Sequence, residues 1–205
     1  MTDNASWKIL VGDDRMALLP RAIALLAEGV PVPLRRLAAG AGWTEEKVAA
    51  TLRGIPRVDW DAGGNLIGLG LSLAPTTHRV CVDGRELFTW CAADTLMLPA
   101  MLGRPVAVRS TCPTTGTAIR LTVTPQGIES VTPESPVLSE VSPTQGCDDF
   151  RSSVCDHGHF FADAAAAEPW RGEHPTGQIW PVAEAFMITR NRLQELGWAT
   201  TASSW

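Results

Sequence analysis

Two stretches of this 205-residue chain carry residues able to do thiol chemistry. The first, "LFTWCAADTLMLPAMLG", reads as a strand running into a helix, with Cys91 at the junction and Asp94 three residues on. A thiol at a helix start lies near backbone N–H groups that lack a helical partner, and near the positive end of the helix dipole. Both favour thiolate, so the spacing predicts a lowered Cys91 pKa. Positions i and i+3 share a helix face, which turns Asp94 towards Cys91. A carboxylate beside a thiolate opposes the helix effect by like-charge repulsion. The pairing makes chemical sense if one of these groups holds a proton at each stage, as in a relay between thiol and carboxylate. The second stretch, "RSSVCDHGHFFAD", carries Cys155, His157 and His159. As a strand it would turn all three to one face. With Cys91 they would make a zinc set, although the spacing is not that of common zinc modules. The plainer alternatives are a buried thiol, an acid in a first helical turn and structural histidines.

Composition narrows the field. The net charge of −5 argues against a general nucleic-acid binder. No run approaches the roughly 20 apolar residues needed to cross a bilayer, and "MTDNASWKILVGDD" lacks the apolar core of a secretory signal. We expect a cytoplasmic protein, so Cys81, Cys91, Cys112, Cys147 and Cys155 are not read as a disulfide framework.

The elements that must position these residues fall into two parts. Residues 13–56 read as three helices. Leu19, Ile23 and Leu26 share a face of the first, Pro20 is expected to kink or start it, and Gly29 to stop it. Thr44 is placed as N-cap of the third, with Val48 and Leu52 facing inward. Two alternating runs around Asp61–Asn65 read as a hairpin. Three helices and a hairpin resemble a winged helix-turn-helix, but the third helix sets only Lys47 and Arg53 against Glu45 and Glu46, too little positive charge for a groove reader. From residue 76 the chain turns to short β-like runs broken by Gly, Pro and Asp, with the Cys91 helix among them. "VTPESPVLSEVSPTQG" is expected to be a loop or edge segment and "FRSSVCDHGHFF" a strand; "DAAAAEPWRGE" and "VAEAFMITRNRLQELG" are expected to be helices. The fold class predicted is α+β: a winged-helix-like module over residues 1–75, then helices packed on a mainly antiparallel sheet over 76–205.

"RELFTWCAADTLMLPAMLG" followed by "SSVCDHGHFFAD" resembles the organomercurial (alkylmercury) lyase family. "LLPRAIALLAEGVPVPLRRLAAGAGWTEEKVAATL", "DAGGNLIGLGLSL" and "VRSTCPTTGTAIRLTVTP" extend the likeness to roughly residues 15–196. The resemblance implies cleavage of the carbon–mercury bond of alkyl- and arylmercury compounds, giving a hydrocarbon and Hg(II). It implies Cys91, Asp94 and Cys155 as the catalytic trio, with the Hg(II) product held by the same residues. No bound cofactor is implied; external thiols release the product, and a mercuric reductase or a small dithiol accepts it. Cys112 takes a structural part, and the first module covers the core rather than reading DNA. The resemblance implies an apolar pocket around the trio, for whose wall Trp90, Leu96 and Phe160 are candidates, plain core being the equal alternative for each. Family members often carry a second cysteine directly after the position of Cys155; here it is Asp156. Cys81 and Cys147 receive no role.

Overall fold

The computed structural model describes residues 13–142 and 148–198. The first three helices are α1 (Asp13–Leu26), α2 (Leu34–Ala41) and α3 (Glu45–Arg53). Leu18, Ala22, Ile23 and Leu26 of α1 are buried, with Leu19 packed against them. The helix runs through Pro20 instead of starting there. Pro20 is the eighth residue of the helix; its missing N–H removes a single bond, and burial of the helix face outweighs the loss. Thr44 caps α3 by accepting from the Lys47 N–H, and Val48 and Leu52 are buried.

The hairpin around Asp61 forms as expected. Asp61 Oδ1 accepts from the N–H groups of Gly63 and Asn65, closing the turn between β1 (Asp59–Trp60) and β2 (Leu66–Leu69). This wing does not stand apart. The next strand, β3 (Leu71–Ser72), pairs with β5 (Arg85–Thr89), so helical module and downstream sheet share one antiparallel sheet of eight strands, ordered β1-β2-β3-β5-β4-β6-β7-β8. The other members are β4 (His78–Val82), β6 (Val106–Thr111), β7 (Ala118–Val123) and β8 (Ile128–Thr132). Burial alternates along β4 and β6, as expected where one sheet face meets the core and the other meets water. The α+β expectation holds.

The core is organised around α4 (Ala92–Leu102). Its residues are apolar on nearly every side and nine of them are buried, the pattern of a central helix. It packs against α7 (Val182–Glu195), which offers Val182, Ala185, Phe186, Thr189 and Leu193. A second sheet of three strands, with β9 between β10 and β11, packs against both helices. Here two expectations fail. The Pro- and Ser-rich stretch contains β9 (Val137–Glu140), the central strand of that sheet, between β10 (Phe160–Phe161) and β11 (Gln178–Pro181). Its prolines fall outside the strand itself, so the ladder is unbroken. "FRSSVCDHGHFF" is not one strand. It is a short helix α5 (Phe150–Ser153), a 3₁₀ turn (Cys155–His157) and then β10. Asp149 starts that helix by accepting from the N–H groups of Arg151 and Ser152, a cap signal that outweighs the β-like texture. The helix expected after Asp163 is α6 (Ala164–Glu173).

Candidate active site

β5 delivers the first cysteine. It ends at Thr89, whose Oγ1 donates to the Cys91 carbonyl at 2.9 Å, and Trp90 N–H donates to the Gly70 carbonyl at 2.9 Å. Cys91 is then the N-cap of α4. A reciprocal cap forms: Asp94 Oδ2 accepts from the Cys91 N–H at 3.1 Å, and the Asp94 N–H faces the Cys91 sulfur. This is the Ser/Thr-type capping box with a thiol in place of the hydroxyl. It holds Asp94 on the sulfur's side of the helix.

The second cysteine comes from the turn after α5. β9 fixes that turn through Ser139, a fully buried residue. Its Oγ donates to the His157 carbonyl at 2.8 Å and accepts from the His159 N–H at 2.9 Å, while its N–H donates to the His159 carbonyl. The Ala92 N–H then donates to the Gly158 carbonyl at 2.9 Å, tying the two cysteine segments together. Gly158 permits this approach, because a Cβ there would lie 2.9 Å from the Cys91 Cβ.

The outcome is a compact triad. One ligand atom each from Cys91, Asp94 and Cys155 lie within 4.8 Å of one another, and all three residues are buried. Among the described residues it is the one grouping of three potential metal-ligating side chains. The triad borders a cavity of about 140 Å³ lined by both parts of the chain, Ile23 and Ile55 from the first and Met97, Phe150, Leu193 and Trp198 from the second among them. Such a set, two soft sulfurs and a carboxylate on an apolar pocket, suits capture of a soft, thiophilic cation carrying an apolar group.

Two family profiles match consecutive stretches of the chain. One, described as alkylmercury lyase, matches residues 71–194, and the other, described as the helix-turn-helix domain of alkylmercury lyase, matches residues 11–70. The chain belongs to the alkylmercury lyase family. It is 43% identical over 178 residues to the alkylmercury lyase of Staphylococcus epidermidis, covering 85% of this chain and 82% of that one. It is 40% identical over 188 residues to that of Bacillus cereus, covering 92% and 86%. A crystal structure of the mercury-bound form of MerB2 shares the fold, with a TM-score of 0.79 and 26% identity over 94% of this chain and 97% of that chain. The reaction of an alkylmercury lyase, cleavage of a carbon–mercury bond, is therefore the activity of this chain.

Within this lyase the protons are not distributed as the helix start alone suggests. The Cys91 thiol is pushed well above its ordinary value by its hydrogen bond with Cys155, then by burial and by the Asp94 charge. The helix N-terminus pulls the other way and loses. For Cys155 the hydrogen bond with Cys91 favours thiolate, but burial and the charges of Asp94 and Asp156 outweigh it and hold the thiol up. Burial raises the Asp94 carboxyl to about 6, against the hydrogen bonds from Cys91 that favour its charged form. Near neutral pH the resting lyase has both thiols protonated and a carboxylate that accepts a proton readily.

This has a consequence for stability. The folded chain keeps the Asp94 proton up to about pH 6, whereas the unfolded chain releases it near 3.8. Stability from this source is full below 3.8 and is lost as pH rises through 6. Asp94→Asn removes the loss, so its stability relative to the parent should rise by about 3 kcal/mol between acid and neutral pH. Urea unfolding of both proteins at pH 4 and pH 8 measures it; a pH-independent difference would contradict the burial argument.

The remaining residues singled out in the sequence divide clearly. His157 and His159 do not join the cysteines. His157 Nδ1 pairs with His174 Nε2 at 2.9 Å, and His174 Nδ1 donates to the Trp170 carbonyl. His78, bonded to Ser110 Oγ, is lowered to about 4 by burial and by the nearby His159. Trp90 lines the pocket as expected. Leu96 and Phe160 do not; they are core residues, 1% and 0% exposed. Cys112 is buried in a turn closed by the Gly116 N–H on its own carbonyl, and Cys81 lies on the water-facing side of β4. Cys147 lies outside the described residues. Sequence reasoning missed Ser139, Gly158 and most of the pocket wall. A glycine between two histidines was the one available signal for Gly158.

Proposed function

We propose that Cys91 and Cys155 are the two mercury ligands of the reaction and that Asp94 carries the proton to carbon. The observation that supports this most is the triad itself, two thiols and a carboxylate within 4.8 Å of one another and lining an apolar pocket.

The substrate is R–Hg–X, with R an alkyl or aryl group and X an exchangeable thiolate or halide. One cysteine displaces X and passes its proton to it, giving enzyme-bound R–Hg–S and HX. Mercury bound to one sulfur brings the metal beside the second, whose thiol it acidifies. Asp94, ionised and within reach, takes that proton as the second sulfur bonds to mercury. Two thiolates raise electron density on the mercury-bound carbon. The protonated Asp94 then delivers its proton there, the carbon–mercury bond breaks, and R–H leaves. Two thiol protons are consumed, one by X and one by carbon, and Hg(II) stays on Cys91 and Cys155. The apolar pocket favours R and excludes water that would compete for the proton.

On this reading the chain needs no resident metal or cofactor. Product release is a ligand exchange to an external dithiol or to a mercuric reductase, in the reducing cytoplasm. The helix-turn-helix module supports the site and does not bind nucleic acid: Lys47 of α3 pairs with Asp14 at 3.0 Å and lies over the Trp43 ring. Among the described residues no helix is long and apolar enough to cross a membrane.

Incubation with phenylmercury and excess thiol, with benzene measured by gas chromatography, tests the proposal. Many benzenes per chain are expected from protein free of zinc and iron. Mercury retained stoichiometrically without benzene would make the chain a binder, salt-sensitive binding to an operator would make it a regulator, and a need for zinc would overturn the metal-free reading.

A further inference from the structure

The chemistry above leaves unused one carboxylate that touches both cysteine segments. Asp59 lies on β1, in the helix-turn-helix module, with its side chain 10% exposed. Its Oδ1 accepts from Arg57 Nε at 2.8 Å. Its Oδ2 accepts from Trp90 Nε1 at 3.0 Å and from Arg151 Nη1 at 2.9 Å. Trp90 directly precedes Cys91. Arg151 lies in α5, one turn before Cys155, and its Nε is 3.5 Å from Oδ1 of Asp156, the residue that directly follows Cys155. The guanidinium also sits over the Trp90 ring at 5.6 Å. Neighbours of Asp59 hold α5 at two further points. The Pro56 carbonyl accepts from the Phe150 N–H, and Arg57 Nη1 lies 3.4 Å from Oδ2 of Asp149, the N-cap of α5. Room for the carboxylate is provided by Gly68, paired opposite Asp59, where a Cβ would fall 2.9 Å from Oδ2.

We propose that Asp59 is a positioning residue that sets the separation of Cys91 and Cys155, by holding Trp90 Nε1 and the Arg151 guanidinium on one carboxylate oxygen. This rests on the reading that the two sulfurs hold mercury together. In the backbone the Ala92–Gly158 bond joins the two segments at one point, and the hydrogen bond between the two thiols is given up when mercury binds; one point is a pivot. The Asp59 bridge supplies a second point, on the side of the preceding residues, and rotation about the first is then stopped. The bridge is charge-assisted and little exposed to water, so it resists opening. Its effect falls on the second sulfur–mercury bond. That step is intramolecular, and its effective concentration depends on how closely the second thiol is held. Capture by the first sulfur does not depend on it.

Asp59→Ala and Trp90→Phe test this in the full chain. The second variant removes the N–H donor together with part of the pocket wall, keeps an aromatic ring beneath Arg151, and carries the test through Hg(II) retention should Asp59→Ala fail to fold. Three readings are taken: Hg(II) retention against a competing dithiol, kcat and KM for phenylmercury, and protection of Cys91 and Cys155 from alkylation by bound Hg(II). In Asp59→Ala, retention and kcat should each fall about tenfold or more, with KM little changed and far-UV circular dichroism like the parent's. Trp90→Phe should act in the same direction and less strongly, and should add little in the Asp59→Ala background, because both changes break one link. The positioning role is overturned if both variants keep retention and kcat within about twofold of the parent, or if their effects add in full. A parent that leaves the two cysteines open to alkylation when Hg(II) is bound overturns the mercury reading of the triad, and the positioning role with it. A parent that protects both, with variants that match it, overturns the positioning role alone.

Discussion

Cys91→Ser and Cys155→Ser are each expected to reduce turnover of phenylmercury by on the order of 10³-fold or more, since the two sulfurs act as a unit. Serine is nearly isosteric, so the fold is expected to survive. What changes is the ligand. A hydroxyl is protonated at neutral pH and binds a soft cation poorly. Each variant keeps one sulfur and can still take up R–Hg⁺ in a single bond. Neither can place two thiolates on mercury, and without them the carbon does not gain the electron density that makes it a proton acceptor. Product retention should fall in parallel. The double variant should be little worse than either single one. Cys81→Ser, on the water-facing side of β4, should turn over like the parent. Steady-state rates and equilibrium dialysis with Hg(II) report both effects. A single serine variant with parental kcat would exclude two-sulfur activation.

Asp94→Asn should lower kcat by about 10²-fold or more, the usual cost of removing a positioned proton donor. The substitution keeps both sulfurs, and the amide oxygen can still accept from the Cys91 N–H that now binds Oδ2 at 3.1 Å. Binding of R–Hg⁺ should therefore persist while release of R–H fails. The intact organomercurial should accumulate on the protein, which mass spectrometry of the denaturant-free complex detects. The proton affinity of Asp94 in the parent fits the same assignment. Its carboxyl, raised to about 6 by burial, stands close enough to neutrality both to take a proton from an acidified thiol and to return it to carbon. Parental turnover by Asp94→Asn would assign the proton to another group.

The sequence made some of this visible and hid the rest for physical reasons. α3, the Asp61 turn and the short strands β4 to β8 follow local rules of capping, turn chemistry and alternation, and all were legible. So was the helix start at Cys91, because an acid three residues after an N-cap is a local signal. The Cys155 segment was misread. Its aromatics and histidines have the texture of a strand, yet the cap at Asp149 and contacts from Pro56 and Ser139, which lie outside the segment, decide its path. β9 was hidden by the prolines around it. The direction of the Cys91 pKa was also misjudged. A helix N-terminus is readable from sequence, but the burial and the Cys155 hydrogen bond that overrule it are tertiary. Of the residues that could be pocket wall or plain core, Leu96 and Phe160 prove to be core, while Leu193 and Trp198 reach the pocket from far along the chain.

A single turnover without external thiol tests most directly that Cys91, Cys155 and Asp94 together split the carbon–mercury bond. Phenylmercury is mixed with an equal amount of protein, benzene is measured, and the cysteines left reactive are then alkylated and mapped. A single benzene per chain is expected, with mercury retained, Cys91 and Cys155 protected and Cys81 alkylated. Benzene formed with either Cys91 or Cys155 still open to alkylation would contradict it, as would protection of both cysteines with no benzene at all.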